Sequence, residues 1–360
     1  MHGRWMIYGA YGYTGELIVE EAVRRGHRPT LAGRSAEKLR PLAARYELPS
    51  IAVPLDDAKA LREAIDGHAL VLHAAGPFVH TAGPMLRACL DAGAHYLDIT
   101  GEIPVFEQSF AADREAREKD VAVISGVGFD VVPTDCLARR VAEQIKDPTS
   151  LTIAISPIGA PSAGTVKSMI EALPRGGFVR RDGVLISVPF GQGITRLRFS
   201  HGEKTVVPIP WGDLVTAFHT TGIPNITTYL TVNPRAAKVL KLAGRAAPLL
   251  TRPARVRQIL ESLVERQMRG PSEAARSRGL SFVYARAENA AGESKEAWLK
   301  TCESYRFTAC ASVLAVEETL SLHPHGALTP ARAFGADFVL RIPETTRLDA
   351  LPWTNGSASR

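Results

Sequence analysis

Three glycines, at positions 9, 12 and 15, stand between a short apolar run and an amphipathic run. The apolar run predicts a strand and the amphipathic run, 16–25, predicts a helix. Gly9 suits a turn that side chains disfavour, Gly12 lets a backbone approach a pyrophosphate, and Gly15 lets the helix pack closely on its strand. The helix start offers amide N–H groups and a partial positive charge to phosphate.

This pattern predicts a dinucleotide-binding turn. A turn that serves only the packing of a parallel sheet is the alternative interpretation. The contact residues that we expect are Gly9, Tyr11, Gly12, Tyr13, Thr14 and Gly15.

The second predicted strand, 28–34, indicates which dinucleotide is bound. It ends about 20 residues past the last glycine, where this kind of fold meets the adenosine ribose. An NAD enzyme has Asp or Glu there, whereas this chain has Arg34, Ser35 and Lys38. A guanidinium can pair with a 2′-phosphate, which a carboxylate would repel. We therefore expect NADP as the cofactor, the alternative for Arg34 being an ordinary solvated residue at a strand end.

Strands and helices alternate through the first 150 residues, which is typical of a parallel sheet. Further strands are predicted at 50–55, 69–75, 95–100 and 121–125, and helices at 58–65, 81–92 and 104–119. Six strands in this rhythm predict one doubly wound Rossmann domain over 1–149.

The hydrophobic pattern of the sequence changes near residue 150, where alternating apolar stretches separated by glycine and proline replace the helical periodicity. We predict an inserted second domain over 150–305, of α+β type and built on a mainly antiparallel sheet. This domain would cover the open edge of the cofactor site, where the substrate binds. The segment 306–360 is predicted to pack back on the Rossmann domain, so the expected class is α/β with an inserted α+β domain.

Composition narrows the classes of function. A net charge of +6 suits anionic small molecules, and no zinc finger or aromatic-rich basic motif indicates nucleic-acid binding. The four cysteines lack metal-binding spacing, so we predict no metal site. No apolar run approaches the ~18 residues that span a bilayer. The first strand leaves no room for a signal peptide, so we expect a cytoplasmic protein.

One segment, 235–269, is predicted to be helical, with lysines and arginines among leucines. The simplest interpretation is the solvated face of a packed helix pair. The alternative is contact with a membrane surface, an acyl carrier or an anionic substrate.

Ligands of an open parallel sheet bind beyond the carboxyl ends of its strands. The candidate site residues are therefore those that directly follow the predicted strands. Small residues after the fourth strand, Ala75, Gly76 and Pro77, would let the cofactor approach the backbone. The side chains able to supply a proton or hold a substrate cation are Asp98, Glu102, Asp130 and His80. Hydrogen bonding at the strand ends is the alternative for the first two, and a surface position is the alternative for His80. No tyrosine has a lysine four places on, so short-chain dehydrogenase chemistry is not expected.

Several blocks of sequence resemble the saccharopine dehydrogenase-like oxidoreductases. They are GAYGYTG at 9–15, LAGRS at 31–35, HAAGPF at 73–78, ACLDAGAHYLDITGE at 88–102 and GFDVVPTD at 128–135. Within that family the chain is most similar to the branch that includes trans-acting enoyl reductases. The resemblance implies a Rossmann domain with an inserted α/β domain, NADP as cofactor, and a homodimer.

Three hypotheses about function stay open, two of them reactions that occur in the family. The first is NADPH-dependent reduction of an activated C=C bond in an apolar or carrier-bound acyl substrate. The second is the saccharopine type of reaction, imine reduction or secondary amine oxidation. The third is a non-catalytic NADP-binding scaffold or sensor. An apolar cleft lined by Phe190, Trp211, Phe218 and Ile223 would suit an acyl chain, the alternative being that these residues belong to the core.

Overall fold

The computed structural model describes residues 3–157, 166, 170, 177–189, 192–235, 237–238, 253–267 and 272–351. Six strands near the amino terminus form a parallel sheet in the order β6-β5-β4-β1-β2-β3. They are β1 (Trp5–Tyr8), β2 (Thr30–Gly33), β3 (Ser50–Ala52), β4 (Leu70–His73), β5 (His95–Asp98) and β6 (Ala122–Ile124). The chain order reverses between β1 and β4, so a crevice opens at the carboxyl ends of these two strands.

Helices connect these strands. They are α1 (Tyr13–Arg24), α2 (Ala36–Tyr46), α3 (Ala58–Ile65), α4 (Phe78–Ala92), α5 (Ile103–Ala111), α6 (Asp113–Glu118) and α7 (Val132–Ala142). The single helix predicted over 104–119 is wrong, because the chain breaks at Ala112. The reason is tertiary: the Asp113 carboxylate accepts a 2.8 Å hydrogen bond from the Ala327 amide, which turns α6 toward a distant segment.

A second sheet carries the inserted part of the chain. Its strands are β7 (Pro148–Pro157), β8 (Gly177–Arg181), β9 (Val184–Val188), β10 (Thr195–Phe199), β11 (Gly202–Pro208), β12 (Asn225–Thr231), β13 (Leu280–Asn289) and β14 (Ser294–Cys302). The main path runs β10-β11-β12-β7-β13-β14. Among the described strands of this second sheet, only β12 and β7 pair in parallel. Helices of the inserted part that the structure describes include α8 (Asp213–Thr221), α9 (Ala254–Gln267) and α10 (Glu273–Arg278).

The chain then returns to the first sheet. Helix α11 (Ser304–Leu322) leads to β15 (Gly326–Ala327), which pairs in parallel with β6 and adds a seventh strand. Helix α12 (Pro330–Phe334) and a 3-10 turn (Phe338–Arg341) follow, and β16 (Thr346–Leu348) pairs with β14 in the second sheet. The segment 306–360, which is predicted to pack back on the Rossmann domain, contributes one strand to each sheet.

Helix α11 covers α1, and hydrogen bonds to Glu317 mark the contact. Glu317 binds Arg25 at 2.9 Å and His27 at 2.8 Å. One apolar cluster runs beneath both helices, and it joins residues of the first sheet such as Ile7 to residues of the second such as Val283. The predicted class, a Rossmann-type α/β sheet with an inserted domain on a mainly antiparallel sheet, is confirmed. No helix among the described residues is long and apolar enough to cross a membrane.

Candidate functional site

The glycine turn joins β1 to α1 with very little space for side chains. Gly9 has a φ of +86°, and a Cβ placed on it would lie 2.7 Å from the Ala75 amide nitrogen. A Cβ on Gly15 would lie 2.2 Å from the Gly9 carbonyl oxygen, so only glycine lets the helix start there. Gly12 precedes the helix and gives it no side-chain cap. The result is a backbone cradle at a helix N-terminus, which fits the pyrophosphate of a dinucleotide.

The end of β2 is aromatic and basic. The Tyr11 ring covers Gly33, where a Cβ would lie 2.6 Å from Tyr11 Cε1. The Lys38 ammonium lies 5.8 Å from the centroid of the same ring. Ser35 caps α2 by accepting a 3.3 Å hydrogen bond from the Lys38 amide, and Arg34 is exposed beside it. These cationic groups can neutralise a 2′-phosphate, with Tyr11 supplying an aromatic surface next to it.

Glu102 connects the loops that follow β4 and β5. Its two oxygens accept hydrogen bonds from the amides of Phe78 at 3.0 Å and Val79 at 2.7 Å, the start of α4. The loop that ends at Pro77, with Ala75 and Gly76, therefore lies against the carboxylate. These two hydrogen bonds to the N-terminus of α4 hold the loop after β5 against the start of that helix.

Asp98 at the end of β5 is fully buried and saturated with hydrogen bonds. Oδ1 accepts from the amides of Thr100 at 3.0 Å and Gly126 at 2.9 Å. Oδ2 accepts from the hydroxyls of Tyr96 and Ser125, each at 2.8 Å. Burial raises the pKa of Asp98, and these bonds oppose the shift. Such a carboxyl joins the loops after β5 and β6, and this geometry favours a positioning role over proton transfer to a substrate.

Asp130 follows β6 and lies beside the Glu102 loop. A Cβ on Gly101 would lie 3.0 Å from Asp130 Oδ2, which shows how closely the carboxyl approaches that backbone. Burial, with the negative charge of Glu102 in addition, raises the pKa of Asp130 to about 7. A carboxyl with this pKa is partly protonated near neutral pH, which suits a general acid.

The second domain contacts this edge through residues just before α8. Trp211 Nε1 donates a 2.6 Å hydrogen bond to the Asp130 carbonyl oxygen. Gly212 follows, and a Cβ on it would lie 3.1 Å from the Gly101 carbonyl oxygen. Asp213 is fully buried, and burial raises its pKa well above the usual range, with a further contribution from nearby Asp135 and Asp130. Asp213 is not among the residues predicted from the sequence, because nothing local distinguishes it from a helix-capping acid.

The predicted site residues thus gather around one edge of the first sheet. The glycine turn and the loop at Ala75 are in contact, and Glu102 and Asp130 lie at the neighbouring strand ends. His80 is exposed in the first turn of α4, and its role stays a prediction. Of the predicted apolar cleft, Ile223 is buried in the core, and the Phe218 ring is 4.2 Å below the Arg180 guanidinium. Phe190 lies outside the described residues.

The remaining expectations concern metals and the basic segment. Within the described residues, no group of three or more His, Cys, Asp or Glu side chains could hold a metal ion. The four cysteines are buried free thiols. Of the segment 235–269, the described residues are 235, 237–238 and 253–267, where Ile259 and Leu263 of α9 are exposed.

Comparison with known proteins concerns mainly the first domain. Residues 5–124 match the family model of the saccharopine dehydrogenase NADP binding domain, which confirms the prediction of NADP as cofactor. A saccharopine dehydrogenase-like oxidoreductase of Bos taurus is 31% identical over 150 residues, which are 36% of this chain and 35% of the relative. A trans-acting enoyl reductase of Mycobacterium tuberculosis (strain ATCC 25618 / H37Rv) is 34% identical over 142 residues, 36% of this chain and 33% of the relative. The chain therefore spans about a third of the length of these curated relatives.

The whole fold has a counterpart among solved structures. Apo saccharopine dehydrogenase (L-Glu forming) from Saccharomyces cerevisiae aligns with a TM-score of 0.66, over 96% of this chain and all of the other. The two sequences are 11% identical, so the likeness concerns the fold alone.

Proposed function

The first domain is an NADP-binding domain of the saccharopine dehydrogenase type, and from this premise we propose that the protein is an NADPH-dependent reductase of activated C=C bonds. Two observations support this reaction. Relatives of the first domain are named trans-acting enoyl reductases. The Asp130 carboxyl, at the edge of the sheet where the cofactor is expected, has a pKa of about 7 and could supply the proton that the reaction needs.

Reduction of a C=C bond requires a hydride at one carbon and a proton at the other. The bound nicotinamide supplies the hydride. Asp130 donates the proton to the carbon next to the activating carbonyl, and its carboxylate is then reprotonated from water. Burial, with the charge of Glu102 in addition, keeps the Asp130 pKa high enough for a proton to be present near neutral pH. Asp98 holds the loops that carry both acids.

The role of each binding residue follows from its position. The backbone of Gly9, Gly12 and Gly15 and the start of α1, with Tyr13 and Thr14, would hold the pyrophosphate. Arg34, Ser35 and Lys38 would bind the 2′-phosphate, and Tyr11 would lie beside the adenosine. Ala75, Gly76 and Pro77 would border the nicotinamide ribose.

The substrate that we propose is an apolar acyl chain, free or bound to a carrier. We further propose a cytoplasmic homodimer, as the resemblance to the family implies. Carrier or membrane contact through 235–269 would be seen as co-sedimentation with anionic vesicles or as binding to an acyl carrier protein. Light scattering measures the oligomeric state.

The first experiment is a fluorescence titration of the purified protein with NADPH and NADH, followed by an acceptor screen with the preferred cofactor. We expect preference for NADPH and oxidation of NADPH by α,β-unsaturated thioesters. Turnover only with an oxo acid plus an amine would replace this proposal with imine reduction. Tight NADPH binding without turnover on any acceptor would indicate a scaffold or sensor.

A further inference from the structure

An arginine from the inserted part of the chain lies at the start of the phosphate-binding helix. Arg276 is on α10, and its Nη1 donates a 3.1 Å hydrogen bond to the Tyr13 hydroxyl, 263 positions away in sequence. The guanidinium carbon also lies 5.7 Å from the centroid of the Tyr13 ring. Tyr13 is the first residue of α1 and comes directly after Gly12. A cation is therefore placed beside the side chain of the residue that begins α1, the helix whose N-terminus is expected to bind the pyrophosphate.

Packing from two sides keeps Arg276 in this place. Helix α10 is capped by Ser272, whose hydroxyl accepts a 3.3 Å hydrogen bond from the Ala275 amide. Just after the helix, a Cβ on Gly279 would lie 2.7 Å from Glu303 Cγ, so the chain there lies against the start of α11. The Tyr305 ring of α11 in turn meets the Tyr13 ring edge to face, with 5.1 Å between centroids.

Glu303 makes this junction stiff. Its Oε2 accepts hydrogen bonds from the amides of Tyr305 at 2.9 Å and Arg306 at 3.1 Å, which caps α11. The acid that α10 packs against therefore also orients the ring that supports Tyr13. Arg276 belongs to a frame built from α1, α10 and α11.

The negative charge of the cofactor's pyrophosphate would be complemented by the Arg276 guanidinium. The glycine turn, 9–15, contains no cationic side chain, and the cations Arg34 and Lys38 lie at the 2′-phosphate end of the site. A pyrophosphate carries two negative charges, and guanidinium is the side chain best shaped to bind phosphate oxygens. An anionic phosphate oxygen is a stronger acceptor for Arg276 than the neutral Tyr13 hydroxyl.

We propose that Arg276 is a ligand of the dinucleotide pyrophosphate, and that Tyr13 holds its guanidinium over the N-terminus of α1. The inserted part of the chain then closes on the cofactor and not only on the substrate. This inference rests on the NADP-binding first domain and is independent of the reaction catalysed.

The test compares ligands with and without the pyrophosphate. NADPH contains it, whereas 2′-AMP keeps the adenosine and the 2′-phosphate but lacks it. We expect Arg276→Gln to weaken NADPH and NADH by the same factor, roughly 10-fold or more, and to leave 2′-AMP affinity within about twofold. Tyr13→Phe should give a smaller loss with the same dependence on the pyrophosphate. The matched control is Arg278→Gln, an exposed arginine on the same helix, which should change none of these affinities.

Three results would overturn the proposal: NADPH affinity unchanged in Arg276→Gln, an equal loss for 2′-AMP, or an equal loss in Arg278→Gln. Thermal melting of each variant without ligand shows whether the fold is intact. Binding of NADPH by the wild type tests the cofactor itself, so a failure of the cofactor and a failure of the Arg276 role give different results. Activity is not needed for any of these readouts.

Discussion

The Val79 amide donates a 2.7 Å hydrogen bond to Glu102 Oε2, which attaches the first turn of α4 to the loop after β5. Because this bond and the one from Phe78 hold the carboxylate, its charge stays beside Asp130. Burial is the main cause of the raised pKa of Asp130, and the nearby negative charge of Glu102 raises that pKa further.

The first prediction concerns the pH dependence of turnover. With Asp130 as proton donor, kcat/KM should fall as pH rises through about 7, the pKa of Asp130. Glu102→Gln removes the like charge, so the Asp130 pKa falls and the decline should begin at lower pH. Asp130→Asn should lower kcat by about 10²-fold or more and abolish this decline. Glu107→Gln removes an exposed charge from α5 and is the control. An unchanged profile in Glu102→Gln would separate Glu102 from Asp130.

A second prediction concerns stability and uses the same carboxyl. The pKa of Asp130 is raised from 3.8 to about 7 in the folded protein, so its contribution to stability is complete below pH 3.8 and is lost as pH rises through 7. Asp130→Asn removes this loss. Relative to wild type, the variant should gain on the order of 4 kcal/mol in free energy of unfolding between pH 4 and pH 8.

Urea denaturation at the two pH values measures that gain. Asp182→Asn, at an exposed turn position, is the control and should show the same pH dependence as wild type. A wild-type-like pH dependence in Asp130→Asn would mean that Asp130 titrates like a solvated acid.

The third prediction separates NADPH from NADH. Arg34→Asp replaces the cation at the end of β2 with a group that repels the 2′-phosphate, so NADPH affinity should fall roughly 100-fold while NADH affinity changes little. Arg40→Asp makes the same charge change at an exposed position of α2 and should spare the discrimination. Equal loss of both cofactors in Arg34→Asp would remove Arg34 from the 2′-phosphate site.

The fourth prediction distinguishes two glycines of the turn. Gly15→Ala places a methyl group 2.2 Å from the Gly9 carbonyl oxygen, and the overpacking should lower the free energy of unfolding by about 1–3 kcal/mol or more. In Gly12→Ala the Cβ meets only that oxygen, at 3.2 Å, and φ is −74°, so the fold should survive. NADPH binding should nevertheless weaken. Thermal melting with and without NADPH measures both effects, and normal stabilisation of Gly12→Ala by NADPH would argue against pyrophosphate at the turn.

Sequence and structure agree where the signal is local. The spacing of the glycines and the buried apolar runs predict the first sheet, because each element is specified within about 10 residues. The seventh strand cannot be predicted from the sequence, because Gly326 and Ala327 show no alternation of apolar and polar residues. The break at Ala112 cannot be predicted for a related reason: we attribute it to the hydrogen bond between Asp113 and the Ala327 amide, which is 214 positions away in sequence.

The candidate site shows the same division. The order of strands predicts that Asp98, Glu102 and Asp130 lie at one edge of the sheet, but it does not predict which of them acts on the substrate. Their surroundings distinguish them. Asp98 accepts hydrogen bonds from two amides and two hydroxyls, and Glu102 accepts from the two amides that begin α4. For Asp130, burial and the charge of Glu102 raise the pKa. The contact of Tyr13 with Arg276 joins residues too distant in sequence for any pattern to indicate it.

The late position of β15 in the chain has a consequence for how the molecule assembles. During vectorial synthesis the first six strands emerge long before Gly326 and Ala327, which complete their sheet, and before α11, which covers α1. Until then the edge of β6 and the apolar face of α1 lack their native partners. Contacts of such long sequence separation form slowly. The nascent domain therefore passes through a stage with an exposed template edge, at which chaperone binding would compete with aggregation.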